Sequence, residues 1–256
     1  MIIRVRHDET LDSGLNPDYS ERMSESISKR LPAFVSSRSG GRSVISGPPG
    51  SGKTYLLNAL FSKKPKILRG VFHRIYYVVP QVSFESLERS PFIQLQEHGR
   101  VYHDIMQLND IIPLLEENKR NDMESCLIID DFGDEFNNRE VQNLINRIFI
   151  KSRHYRTQIY LLSQTAMQLP KELRRLVTVW HLYQYPRDDY YNIMNQILGR
   201  HPAEYWDQIY DYVYSQPHRF MTIQTEYNPP KFYVDGHELL LDDNNDADDE
   251  SADIES

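Results

Sequence analysis

The sequence has only one cysteine, Cys126, in 256 residues. One thiol cannot form a disulfide framework, which excludes the class of disulfide-stapled secreted domains and favours an intracellular setting. No apolar run approaches the roughly 20 residues that a membrane-spanning helix needs. Residues 1–6 are too short and too charged to be a signal peptide. These absences predict a soluble intracellular protein that has no membrane partner.

An excess of positive charge is also missing, since the formal net charge is −8. Eight of the 37 acids lie in residues 242–256, which contain no base, and the other 29 acids balance 29 lysines and arginines. A uniformly basic nucleic-acid-binding surface is therefore excluded, although a local one is not. The acidic tail is predicted to be disordered. It could act as a solubiliser, an intramolecular DNA mimic or a docking peptide.

The sequence does contain a phosphate-binding loop. Residues 47–54, Gly-Pro-Pro-Gly-Ser-Gly-Lys-Thr, match the pattern G-x-x-x-x-G-K-[ST] at every specified position. The glycines let backbone N–H groups turn towards a polyphosphate, Lys53 can reach the β and γ oxygens, and Thr54 can place its hydroxyl on Mg²⁺. A helix predicted at 54–61 would point its positive end at the phosphates. The predicted nucleotide-binding residues are Gly47, Pro48, Pro49, Gly50, Ser51, Gly52, Lys53, Thr54 and Tyr55.

From residue 43 onwards, short apolar runs alternate with helical patterns, which predicts a parallel sheet with helices on both faces. The candidate strands are 43–46, 75–79, 126–129, 159–162 and 177–183. The candidate helices are 54–61, 105–118, 138–151, 188–198 and 203–214, with possible edge strands or a hairpin at 220–225 and 231–234. The helix at 138–151 has the clearest apolar face, and Asn138 is its predicted N-cap.

Four segments are expected along the chain. Residues 1–42 form an N-terminal segment with a short strand at its start and a polar helix near 19–31. Residues 43–185 form the P-loop core. Residues 186–241 form a small C-terminal extension of helices and a hairpin, and the acidic tail follows at 242–256.

Two adjacent carboxylates end the third candidate strand. Asp130 and Asp131 follow the apolar residues 126–129, and the carboxyl ends of parallel strands line the ligand crevice. We therefore expect both to face Lys53 and Thr54. Asp130 is assigned to Mg²⁺, directly or through water, and Asp131 to polarising the attacking water. Glu135 is the alternative base, because an aspartate reaches less far than a glutamate.

The fourth candidate strand ends at Gln164, whose uncharged amide could hold the attacking water or sense the γ-phosphate. Its alternative role is to bond the backbone at the end of the strand. Three arginines are candidates for stabilising the transferred phosphoryl group from a neighbouring subunit. They are Arg153 after the helix at 138–151, and Arg174 and Arg175 before the fifth strand. Such an arginine is worth about 10³–10⁵ in rate.

Taken together, these motifs resemble the FtsK/HerA superfamily of P-loop ATPases, and within it the genome-packaging ATPases of large DNA viruses and related mobile elements. The resemblance covers residues 43–185. It rests on the phosphate loop and four further segments, 127–132, 152–154, 162–164 and 169–174.

The resemblance implies an ASCE/RecA-like fold with strand order 5-1-4-3-2, in which the Gln164 strand lies between the phosphate-loop and Asp130 strands. It also implies ATP and Mg²⁺ as cofactors, and a hexameric ring that moves double-stranded DNA, with capsid proteins as further partners. Gln164 would be the sensor. Arg153, which precedes a histidine as in the family, would be the arginine finger. Such a protein would work in the host cytoplasm or in the virion.

Two departures from the family matter. Asp131 stands where many relatives have glutamate, and no DNA-orienting domain is evident. Two alternatives therefore stay open: an AAA+ helicase loader with residues 188–214 as its lid and Arg200 or Arg219 as its sensor, and a non-catalytic nucleotide-binding assembly protein. For DNA contacts the sequence nominates Lys63, Lys64 and Lys66, and Arg147 with Lys151, although a solvated charged face also explains both groups.

Overall fold

A computed structural model describes residues 2–6, 31–32, 34–35, 40–62, 67–87 and 90–242. The helix predicted near 19–31, the lysine cluster at 63–66 and almost all of the acidic tail lie outside these residues. The strands are β1 (Ile2–Arg6), β2 (Arg42–Ser46), β3 (Arg74–Val78), β4 (Val101–Tyr102), β5 (Ser125–Ile129), β6 (Thr157–Ser163), β7 (Val179–Tyr183), β8 (Phe220–Gln224), β9 (Lys231–Val234) and β10 (His237–Asp242). The α-helices are α1 (Lys53–Phe61), α2 (Gln81–Glu85), α3 (Ile93–Glu97), α4 (Leu108–Arg120), α5 (Arg139–Lys151), α6 (Lys171–Arg174), α7 (Arg187–Leu198) and α8 (Ala203–Val213).

One ten-stranded sheet runs through the structure in the order β1-β10-β9-β8-β7-β2-β6-β5-β3-β4. Its central strands β7, β2, β6, β5 and β3 are parallel. If the five predicted core strands are numbered along the chain, this is the order 5-1-4-3-2, so the predicted fold class is confirmed. We call the edge where these five strands end the carboxyl edge, and the edge where they begin the amino edge.

Two apolar layers cover the parallel strands. Helix α1 and the segment around α2 bury Leu57, Phe61 and Phe84 on one face. Helices α4, α5, α7 and α8 bury their apolar stripes on the opposite face. Alternation along the strands produces this division, because successive side chains point to opposite faces. In β2, for example, Val44 belongs to one layer and Ile45 to the other.

Helix α5 follows its sequence pattern closely. Its buried residues are Val141, Leu144, Ile145, Ile148 and Phe149. The Asn138 side chain caps the helix by accepting a hydrogen bond from the Glu140 N–H at 2.8 Å. A side-chain oxygen at this position satisfies one of the N–H groups that the first helical turn leaves unpaired.

The C-terminal strands extend the sheet beyond β7 with antiparallel pairing. β8 pairs with β7 and β9 with β8, so the predicted hairpin is present. The sequence analysis missed β10, which pairs with β9 and with β1. The extension therefore contains three strands, and β10 runs through Asp242, the first residue assigned to the acidic tail.

Helices α7 and α8 form a hairpin on the face of the sheet that carries α5. The Tyr210 hydroxyl donates to the Tyr185 carbonyl at 2.7 Å, and the Tyr214 hydroxyl donates to the Leu182 carbonyl at 3.0 Å. Tyr190 packs against both tyrosines. The tyrosine-rich pattern of these helices thus serves packing. Their apolar faces cover the sheet, whereas an AAA+ lid would close over the nucleotide.

Candidate active site

The phosphate loop occupies the turn between β2 and α1 at the carboxyl edge. Gly50 and Gly52 have left-handed backbones, with φ of 75° and 109°, a conformation that costs glycine nothing. The Gly47 N–H donates to the Ser163 carbonyl at 3.2 Å, which ties the loop to the end of β6. Helix α1 begins at Lys53 without a side-chain cap. Its first N–H groups and positive dipole end are therefore available to an anion.

The Lys53 ammonium lies within the curve of this loop. Nζ donates to the Gly47 carbonyl at 2.6 Å and to the Pro48 carbonyl at 3.0 Å. Burial lowers the pKa of Lys53, while Asp130 and Asp131 act in the opposite direction. Asp130 and Asp131 therefore lie close enough to interact with this lysine, as the sequence analysis expected.

Asp130 follows β5 and is almost fully buried, with 8% of its surface exposed. Its Oδ2 accepts a hydrogen bond from the Tyr77 hydroxyl at 2.9 Å. The pKa of Asp130 is raised to about 6, chiefly by burial and to a smaller extent by Asp131, against the opposing effects of the Tyr77 hydrogen bond and Lys53. A buried carboxylate kept beside a lysine is the kind of perturbed group that marks a functional site.

Asp131 has a different environment, because its side chain is exposed. Its backbone is left-handed, with φ of 63°, a conformation that asparagine and aspartate tolerate better than most residues. The Ser83 hydroxyl in α2 donates to Oδ2 at 2.6 Å. Only one carboxylate oxygen is engaged by this bond, so the other can accept a proton.

A small cleft joins these groups to the end of β6. Its lining includes Lys53, Asp130, Asp131 and Gln164, together with Gly133 and Ser163, and its volume is about 20 Å³. That volume is enough for about one water molecule. The structure therefore brings four of the predicted site residues together. Glu135 lies in the neighbouring 3₁₀ helix Gly133–Asn137 and is not part of the lining.

The three candidate arginines lie elsewhere in the chain. Arg153 follows α5 at the amino edge, where its backbone packs on Gly40. Burial lowers the pKa of the Arg42 guanidinium, and Arg153 lies close enough to lower it further. Arg174 and Arg175 line a different cleft at the same edge. Strand β2 alone spans about 16 Å, at ~3.3 Å per residue, between the amino edge and the phosphate loop. None of the three therefore reaches Lys53 of its own chain.

Neither of the two sensor arginines of the AAA+ alternative, Arg200 and Arg219, lines the small cleft. Arg219 forms an ion pair with Asp235, with Nε 3.1 Å from Oδ2. Arg200 lies between α7 and α8, outside the lining of the cleft. The His218 imidazole does approach the phosphate loop, with Nδ1 3.3 Å from the Ser51 carbonyl oxygen.

Sequence reasoning missed the tyrosines and the serine that support the site. The Tyr183 hydroxyl donates to the Gly52 carbonyl at 2.9 Å. The Tyr185 hydroxyl lies 2.7 Å from Ser46 Oγ and donates to the Gln164 carbonyl at 3.2 Å. Tyr77 and Ser83 support the two aspartates. For Tyr77 a signal existed, because a hydroxyl near the carboxyl end of a buried strand needs a polar partner there.

The side chains available for Mg²⁺ are the Thr54 hydroxyl and the Asp130 carboxylate. No group of three or more His, Cys, Asp or Glu side chains among the described residues could hold a metal ion. This oxygen-only set fits Mg²⁺, which keeps several waters and is usually bound by one or two protein groups plus substrate phosphates. The Ser51 hydroxyl is buried in the loop without a hydrogen-bond partner among the described residues, so it too could donate to a phosphate oxygen.

Within the described parts of the chain, every helix is too short or too polar to traverse a lipid bilayer.

Comparison with known proteins gives one family and several structures of similar fold. The model of the family described as "Poxvirus A32 protein" matches residues 37–199. The DNA-packaging ATPase B204 of Sulfolobus turreted icosahedral virus is 16% identical, with a TM-score of 0.53, over 76% of this chain and 96% of that one. B204 of Sulfolobus turreted icosahedral virus 2, solved with AMPPCP, is 15% identical with a TM-score of 0.53 over 77% and 97%. No curated protein matches.

Proposed function

The chain belongs to the Poxvirus A32 protein family, and from that premise we propose that it is an ATP-hydrolysing DNA translocase. Its task is to package a viral or virus-like double-stranded DNA genome into a capsid, in the host cytoplasm or the assembling virion. The observation that carries the proposal is the shared cleft of Lys53, Asp130, Asp131 and Gln164 beside a complete phosphate loop. A structure of B204 from Sulfolobus turreted icosahedral virus 2 was solved with ATP-gammaS, which supports ATP as the nucleotide.

In this proposal residues 47–55 hold the triphosphate of ATP. Backbone N–H groups of the loop and of the first turn of α1 donate to the phosphate oxygens, and Lys53 transfers its hydrogen bonds from Gly47 and Pro48 to the β- and γ-phosphates. Thr54 and Asp130 are the residues that would hold Mg²⁺, and the bound ion would neutralise charge on the phosphate oxygens. Tyr77 fixes the orientation of the Asp130 carboxylate through its hydrogen bond.

The small cleft is the proposed location of the attacking water. Asp131 accepts the proton of this water through the oxygen that does not bind Ser83, and the Gln164 amide orients the same water or contacts the γ-phosphate. General-base assistance of this kind is worth about 10²–10⁴ in rate. Glu135 is the less favoured base, because it does not line the cleft.

The ring and its arginine finger belong to the same proposal. Since Arg153 lies at the amino edge of its own chain, it can act only on the nucleotide of a neighbouring subunit, which makes hydrolysis depend on assembly. We place the motor core at residues 43–185, with residues 1–42, 186–241 and 242–256 as the flanking segments. A hexamer around duplex DNA, docked on capsid proteins, completes the assembly.

The decisive test measures the ATPase rate of the oligomeric protein with and without long duplex DNA. Stimulation by duplex DNA is expected, together with loss of ATP binding in Lys53→Ala. Asp131→Asn should bind ATP but turn over about 10²–10⁴ times more slowly. If DNA has no effect on the oligomeric protein, the translocase proposal fails. If Asp131→Asn turns over like wild type, the base is Glu135 or is not needed.

A further inference from the structure

A second cleft lies at the amino edge of the sheet, away from the nucleotide. It is bounded by α6, the approach to β7 and the end of α7, and its volume is about 650 Å³. Lys171, Arg174 and Arg175 are its charged lining residues, and Asn195 and Thr225 are among its neutral polar ones. Among the residues that the structure describes, no carboxylate is part of this lining. We call this feature the amino-edge cleft.

The local sequence places the three cations on one side of α6. Lys171, Arg174 and Arg175 are spaced i, i+3, i+4, which puts them on one face of a helical turn. Leu173 is fully buried and anchors the other face in the core. Lys171 and Arg175 are exposed, whereas Arg174 is half-buried.

Arg174 has a structural task that its two neighbours do not have. Its guanidinium donates to the Leu169 carbonyl, and at 3.4 Å to the Met167 carbonyl. Burial lowers the pKa of this guanidinium, and Glu172 acts in the opposite direction. Arg174 thus holds the turn, and Lys171 and Arg175 are left to contact a ligand.

The cations of the amino-edge cleft form no ion pair with a carboxylate of the described residues. Three other arginines in the described part of the chain do have such partners: Arg156 pairs with Asp122, Arg187 with Asp207 and Asp211, and Arg219 with Asp235. Exposed cations such as Arg120 and Arg147 resemble those of the cleft in forming no ion pair with a described carboxylate. What distinguishes the amino-edge cleft is that three cations line it together, in a chain whose body is close to neutral. Unpaired positive charge gathered in one open cleft is the local basic surface that the composition permits.

We propose that the amino-edge cleft binds the sugar–phosphate backbone of duplex DNA, with Lys171 and Arg175 contacting phosphates. This inference rests on the proposed function and names the surface through which the motor contacts its DNA. Ammonium and guanidinium groups are the usual donors to phosphate oxygens. The aromatic ring in the lining, Trp180, is 1% exposed and offers no stacking surface. The contact is therefore to the backbone and independent of base sequence.

The position of this cleft also suits a motor, because one short segment connects it with the nucleotide cleft. This segment, residues 164–175, begins at Gln164 in the lining of the nucleotide cleft and ends at Arg175 in the lining of the amino-edge cleft. The Ser163 hydroxyl donates to the Thr165 carbonyl at 2.7 Å at one end, and Arg174 holds the Leu169 carbonyl near the other. The two clefts are therefore joined by a single short stretch of chain, from Gln164 in one lining to Arg175 in the other.

The test is the salt dependence of duplex DNA binding in the full chain, measured by anisotropy of a labelled duplex in the presence of ATP-gammaS. The test variant is Lys171→Gln/Arg175→Gln. The matched control is Lys119→Gln/Arg120→Gln, which removes two exposed cations from the end of α4. A third variant, Lys171→Arg/Arg175→Lys, keeps both charges. Each phosphate contact contributes about 0.9 to the slope of log Kobs against log salt concentration.

Loss of two contacts should lower the slope of the test variant by about 1.8, while the control and the charge-retaining variant keep the wild-type slope. An unchanged slope in the test variant, or an equal fall in the control, overturns the inference and leaves the translocase proposal intact. A wild-type protein that binds no duplex DNA overturns both. If the test variant fails to fold, as judged by its melting curve, Arg175→Gln alone should lower the slope by about 0.9, and an unchanged slope rejects the site.

Discussion

Replacing Asp130 by asparagine should make the metal-free protein more stable although it removes a functional group. The carboxylate is almost fully buried, and burial raises its pKa from an ordinary 3.8 to about 6. At 1.36 kcal/mol per pKa unit, keeping this group ionised in the folded protein costs about 3 kcal/mol. Asparagine has nearly the same shape, and its amide oxygen can still accept the Tyr77 hydrogen bond. The variant therefore avoids the free-energy cost of a buried charge and keeps the hydrogen bond from Tyr77.

The stability difference between Asp130→Asn and wild type should depend on pH in a specific way. Between pH 3.8 and pH 6 the folded protein binds more protons at Asp130 than the unfolded chain does, so this group makes stability fall as the pH rises through that window. The advantage of Asp130→Asn should be small at pH 4, about half developed at pH 5 and complete, at about 3 kcal/mol, by pH 7.5.

Urea unfolding in the presence of EDTA, followed by tyrosine and tryptophan fluorescence, measures the difference between the variant and the wild type at each pH. Asp131→Asn is the matched control, because Asp131 is exposed and asparagine also tolerates its left-handed backbone; its stability should differ little from wild type. An Asp130→Asn protein that is no more stable than wild type at pH 7.5 would show that the carboxylate is not desolvated as described.

Three further predictions concern other parts of the site and its sheet. Tyr77→Phe removes the hydrogen bond to Asp130 and should raise the Mg²⁺ concentration needed for half-maximal ATPase activity about 10–100-fold; an unchanged Mg²⁺ titration would remove Tyr77 from the site. Gly47→Ala should destabilise the protein more than Gly50→Ala does in thermal denaturation. A Cβ at position 47 would lie 2.6 Å from a side chain of β7, whereas a Cβ at position 50 would have no described residue within 4 Å, so that only the left-handed backbone costs about 1–2 kcal/mol there. The reverse ranking would contradict this packing. Burial lowers the pKa of His181 to about 3, so the folded protein binds fewer protons there than the unfolded chain and loses stability as the pH falls below about 6.5. His181→Gln should therefore lose about 2 kcal/mol less than wild type between pH 7.5 and pH 5 in urea unfolding, and equal losses would show that this histidine does not titrate on unfolding.

The sequence was sufficient for the parallel core and for the residues at its carboxyl edge. The phosphate loop, Asp130 and Gln164 each follow an apolar run. Parallel strands place such positions at one edge whatever the register of the strands. The strand order came from the family resemblance, because apolar runs of similar composition do not reveal which of them are neighbours.

Other features depend on contacts between distant parts of the chain. Strand β10 pairs with β1 across more than 230 residues of sequence, from Ile2 to Asp242, and no local pattern predicts such a pairing. The role of Tyr77 depends on the register between β3 and β5, which sets Tyr77 opposite Ile128 and within reach of Asp130. The amino-edge cleft likewise cannot be predicted from a local pattern, because it forms only where α6, the end of α7 and the residue that follows β8 come together.

The most direct test of the motor proposal is displacement of a third DNA strand from a duplex that the protein must travel along. Wild-type protein should release the third strand in the presence of ATP and Mg²⁺, and neither ATP-gammaS with wild type nor ATP with Lys53→Ala should do so. Wild-type protein that hydrolyses ATP on this duplex without ever releasing the third strand would contradict the proposal that the nucleotide cleft drives movement along DNA.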